Sequence, residues 1–122
     1  MRFFMTVTPS HDYLEGKPPP QSLMDAMGPY MGKAVADGSL ISTAGLKPLT
    51  EGTFLSARGG RITVKDGPFA ESKELIGGYA VMEFATKADA IRAATDFINL
   101  HIEHGVPDID VSVRAVDGGY NF

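Results

Sequence analysis

The chain predicts an α+β fold in the order β-α-β-(β-β)-β-α-β, a βαββαβ unit with an inserted β-hairpin. Three observations support this. Residues 2–8 alternate with period two. Two longer stretches, Leu23 to Ala34 and Ala90 to Ile102, repeat their apolar residues with a helical period. Gly59-Gly60 separates two β-rich runs, as tight hairpin turns require.

In the first strand Phe3, Met5 and Val7 point one way, and Arg2, Phe4, Thr6 and Thr8 the other. A loop follows over 11–20, because the triple proline Pro18-Pro19-Pro20 blocks both a helix and a central strand. Leu23, Met27, Tyr30, Met31 and Ala34 then form one stripe of a first helix. Ser22 and Asp25 read as its capping box and Gly38 as its stop, while Pro29 is expected to kink or split it. A strand is expected over 39–46, and a connection over 47–52. The runs 53–58 and 61–65 form the hairpin, and Tyr79 to Ala85 the next strand. The second helix opens on Thr86 with Asp89 in a capping arrangement. Its inner stripe is Ala90, Ile91, Ala94, Phe97, Ile98, His101 and Ile102, and Gly105 with Pro107 ends it. Residues 110–116 alternate as a last strand before a short tail.

Without the hairpin this is the ferredoxin-like pattern. Two helices on one face leave the other face of the sheet uncovered. That face would carry Phe4, Thr6, Tyr79, Val81, Glu83, Arg114 and Val116, apolar enough for a second subunit to cover. A homodimer is therefore expected. The whole chain, 1–122, reads as one domain.

Composition narrows the function classes. The chain is 43% hydrophobic, enough for a core, and no stretch reaches the ~20 apolar residues of a membrane span. Its start lacks the long apolar run of a signal peptide. A net charge of −4 offers no basic footprint for nucleic acid. The absence of cysteine removes disulfide and thiol chemistry and fits a cytoplasmic protein. Gly59-Gly60 and Gly77-Gly78 lack the spacing of a phosphate-binding loop, and there is no Gly-x-Ser-x-Gly elbow.

The segment from Asp66 to Tyr79, Asp-Gly-Pro-Phe-Ala-Glu-Ser-Lys-Glu-Leu-Ile-Gly-Gly-Tyr, has neither a helix nor a strand period. It resembles the signature of the DGPF family, a branch of the YCII-related proteins, and the likeness extends more loosely along most of the chain. The resemblance implies a dimeric α/β barrel, with two sheets packed face to face. Some DGPF-family genes lie beside those for alternative sigma factors. The resemblance therefore also suggests an accessory or regulatory module that meets a protein partner.

Candidate site residues follow from this segment and its surroundings. Asp66, Glu71, Lys73 and Tyr79 could form a polar cluster at the mouth of a cavity, with Asp66 or Glu71 as general base and Lys73 and Tyr79 binding a small polar molecule. Structurally, the same carboxylates could cap turns, with Lys73 paired to one of them. His11 follows the first strand and could pair with Glu71; otherwise it belongs to an exposed loop. In some YCII-type relatives a His and an Asp look like the catalytic pair. Loop lengths differ here, so His11 and Asp12 are not carried onto those positions. Glu83 and Arg114 could line a ligand cavity or form a partly buried ion pair. Such acid–base chemistry needs no cofactor. His101 and His104, at i and i+3, do not make a metal site by themselves. Met5, Met24, Met27, Met31 and Met82 read as core.

Overall fold

In a computed structural model, residues 1–8, 17–48, 51–67 and 76–119 are described. The elements are β1 (Arg2–Thr8), α1 (Gln21–Ala36), β2 (Leu40–Gly45), β3 (Thr53–Arg58), β4 (Arg61–Asp66), β5 (Gly78–Glu83), α2 (Lys87–Glu103) and β6 (Asp110–Ala115). The expected order is realised. β2, β5, β1 and β6 form one antiparallel sheet in that spatial order, and β3 and β4 form a separate hairpin. The four-stranded sheet has two edges, β2 and β6, and does not close on itself.

The period of two in β1 decides which face is buried. Phe3 and Met5 lie at 1% and 5% exposure, whereas Phe4 between them is 37% exposed. Phe3 and Met5 join Ala90 and Ala94 of α2 in the core, ringed by Ala80, Met82, Phe84, Val111 and Val113. Ala90 and Ala94, one turn apart, carry no bulk, so α2 lies close against the sheet. Thr86 caps this helix by accepting a hydrogen bond from the Asp89 amide at 3.1 Å. Hydrogen bonds from the side chains of Thr86 and Arg92 to the Asp89 carboxyl hold it below its ordinary pKa. Gly105, at φ +88°, ends the segment as expected.

Helix α1 shows neither the split nor the capping box. Pro29 lies inside a single helix and does not split it in two. The residue before a proline is normally driven from helical angles by its own Cβ, and here that residue is Gly28, which has none. The Ser22–Asp25 capping box does not form either. Pro20 is the cap residue and makes no side-chain cap bond; its carbonyl takes the Leu23 and Met24 amides at 3.1 and 3.2 Å. Ser22 thus lies within the first turn, and Asp25 accepts from Gln21 Nε2 at 2.9 Å.

In α2 the inner stripe is narrower than predicted. Ala90, Ala94 and His101 are buried, but Ile91 and Ile102 are 48% and 49% exposed. The hairpin turns through Gly59 and Gly60 at φ +58° and +79°, the paired left-handed angles of a two-residue turn. Its base is tied by the Thr53 hydroxyl donating to Asp66 Oδ1 at 2.8 Å.

Candidate functional site

A cavity of about 450 Å³ lies between α1, the sheet and the C-terminal half of α2. Its origin is steric. Where α2 presents alanines, α1 presents Met27, Tyr30 and Met31, which are only partly buried. Leu23 is its one buried residue among those described. Long side chains hold α1 off the sheet without filling the space beneath it.

The walls come from many elements. β1 supplies Met5 and Val7, and β2 supplies Leu40 and Thr43. β5 supplies Gly78, Ala80 and Met82, and β6 supplies Val111. α2 adds Ala93, Ala94, Phe97 and His101. Five of the six methionines, Met5, Met24, Met27, Met31 and Met82, border the cavity. These are the methionines the sequence assigns to the core. They surround a space that nothing in the chain's local pattern announces.

Tyr30, Phe97 and His101 form an aromatic group in this wall. Ring centroids are 6.3 Å apart for Tyr30 and Phe97, and 4.4 Å for Phe97 and His101. The Tyr30 hydroxyl donates to the Ala93 carbonyl at 3.2 Å. Burial, with Asp96 nearby, raises its pKa, so it is a neutral phenol. Thr43 donates its hydroxyl to the Tyr79 carbonyl at 2.9 Å. His101 is 9% exposed, and its Nδ1 lies 2.8 Å from the Phe97 carbonyl. No group of three or more potential metal ligands occurs among the described residues.

The predicted site residues divide differently. His11, Glu71 and Lys73 lie outside the described residues. Asp66 ends β4, is exposed, and accepts from Thr53; it is not among the cavity residues. Tyr79 borders the cavity, but its ring stacks on Phe4 at 5.8 Å, on the opposite face of the sheet. Glu83 and Arg114 also lie on that face and do not form the expected pair. Register sets Glu83 opposite Arg2, and Arg114 opposite Phe4. Glu83 pairs instead with the Met1 amine at 3.1 Å and Arg2 Nε at 3.6 Å, in solvent that screens both contacts.

The sequence places Tyr30 and His101 on helix stripes without marking them as a site. The available signal was a histidine within an otherwise apolar stripe, together with methionines concentrated on one face of α1.

Comparison with known proteins agrees at the level of the YCII-related family. Residues 1–99 match the YCII-related domain family, so the chain belongs to it. A relative, the uncharacterized protein R00369 of Rhizobium meliloti (strain 1021), is 36% identical over 73 residues. That match covers 60% of this chain and 59% of the relative's length. Among the described residues no helix is long and apolar enough to cross a membrane.

Proposed function

We propose that this YCII-related domain binds a small organic molecule in the cavity beneath α1. The observation that carries this is a 450 Å³ space walled by methionine, aromatic and aliphatic side chains. It falls in the range of small-molecule sites and is lined as they are, mostly apolar with a few polar groups. A ligand of largely apolar body fits such walls better than the small polar molecule suggested by the charged loop. Acid–base chemistry by His11, Asp66 or Glu71, without a cofactor, belongs to the same proposal. Thr8, Lys17 and Gly77 border the cavity and lie within a few residues of His11 and of the segment holding Glu71 and Lys73. The Asp66–Tyr79 motif supports assignment to the DGPF branch.

The methionines provide the test. With methionine methyl groups isotopically labelled, naphthalene is expected to shift the resonances of Met5, Met27, Met31 and Met82. Met1 lies outside the cavity and is 60% exposed, so its signal should stay in place. No movement of the cavity methyls, or equal movement of Met1, would refute the cavity as a binding site.

We further infer a homodimer in which the open sheet face of each chain covers the other, forming the two-sheet barrel. This face carries the Phe4–Tyr79 stack, and Phe4, Ile41 and Val116 lie 37%, 44% and 44% exposed on or beside it. Exposed large apolar side chains on one sheet face favour an interface. Val81→Arg at its centre should shift the mass by light scattering from dimer to monomer; a wild-type chain already monomeric at high concentration would sink the idea. An accessory role at a protein partner is the alternative reading of the same face.

A further inference from the structure

We propose that His101 is the polar anchor of the cavity, and that the ligand is an aromatic carrying one hydrogen-bond donor. This rests on the cavity reading above and adds the group that selects the ligand. A backbone carbonyl only accepts, so the 2.8 Å contact to the Phe97 oxygen places the proton of a neutral imidazole on Nδ1. Nε2 is then an acceptor, and none of the described residues hydrogen-bonds to it. The two helices bring just two polar side chains to the cavity, Tyr30 and His101. Tyr30 already donates to Ala93. His101 uses Nδ1 on the Phe97 carbonyl, and its ring borders the cavity.

Among the described residues no buried side-chain nitrogen or oxygen is left without a partner, so the imidazole is placed where its second nitrogen serves the cavity it borders rather than the stripe of Ala90, Ala94 and Phe97. A ligand hydroxyl or N–H would satisfy the nitrogen. The rest of the wall favours a flat ring, since thioethers pack well against aromatic edges and Phe97 offers another ring. A carboxylate has no hydrogen to give an acceptor nitrogen, although Lys17 also borders the cavity.

The test compares naphthalene, 2-naphthol and 2-naphthoate by calorimetry on the wild-type chain and on His101→Phe. The wild type is expected to bind 2-naphthol at least tenfold more tightly than naphthalene, and 2-naphthoate no better than naphthalene. In His101→Phe the advantage of the hydroxyl should vanish while naphthalene still binds. Equal preference for 2-naphthol in both proteins, or 2-naphthoate as the tightest ligand, would overturn the assignment and leave the cavity reading intact. Failure of all three compounds to bind the wild type would overturn both. Imidazole nitrogen-15 shifts of wild-type His101 keep the test independent of variant folding. They should show hydrogen on Nδ1 alone in the free protein and a changed Nε2 signal only with 2-naphthol. An unmoved Nε2 signal at saturating 2-naphthol also overturns the assignment.

Discussion

Replacing Phe3 by alanine is expected to remove about 3–5 kcal/mol of stability, the largest loss from any single core truncation here. Phe3 is 1% exposed and is the largest fully buried side chain among the described residues. It lies on the central strand, against α2, so both layers lose contact with it at once. A domain of this size has about 5–15 kcal/mol in total. The melting temperature should therefore fall by on the order of 10–20 °C. Phe4→Ala is the matched control. Its ring lies on the other face, so its cost should be small in a dilute monomer and grow with protein concentration if that face pairs between chains. Equal, concentration-independent losses for the two would mean that the alternation of β1 does not separate core from surface.

Gly78→Val is expected to cost about 1–3 kcal/mol by overpacking. Gly78 is buried at the start of β5, between β1 and β2. A Cβ added there would come within 3.1 Å of the Ala44 carbonyl oxygen, which belongs to the backbone and cannot swing aside. The two strands must part locally. Because β2 is an edge strand, it should move rather than β1. The expected signature is a lowered denaturation midpoint and faster amide exchange at Leu46, whose N–H bonds to the Gly77 carbonyl at 2.9 Å. The same side chain would intrude on the cavity and weaken naphthalene binding. An unchanged midpoint with unchanged exchange at Leu46 would show that β2 accommodates the group without strain.

Gly78 thus has a packing reason that sequence alone could not supply. Much else was legible. Period two identified β1 and the faces of the sheet, and two glycines identified the hairpin turn. Thr86 and Gly105 bracketed α2. These are local signals with local causes. Misreadings arose where a cause was not local. Ile91 and Ile102 satisfy the helical period, but burial depends on how wide a strip of helix the sheet covers. Glu83 and Arg114 share a face, but strand register brings Arg2 to Glu83 instead. The candidate site shows the same division. Charges and turn residues draw attention to 66–79, whereas the cavity is made of ordinary apolar residues from both helices and four strands. Only the tertiary fold brings Met5, Met27, Met82 and His101 round one space.

The position of β1 also bears on how the chain is made. The first strand of this domain to emerge is central in the sheet, and both its neighbours, β5 and β6, are the domain's last two strands among the described residues. On the ribosome β1 therefore waits, its apolar face unpartnered, until residues beyond Gly78 have emerged. The sheet cannot assemble hairpin by hairpin from the N-terminus. Long-range pairing of this kind slows folding and leaves an apolar strand exposed in the nascent chain, where chaperones bind.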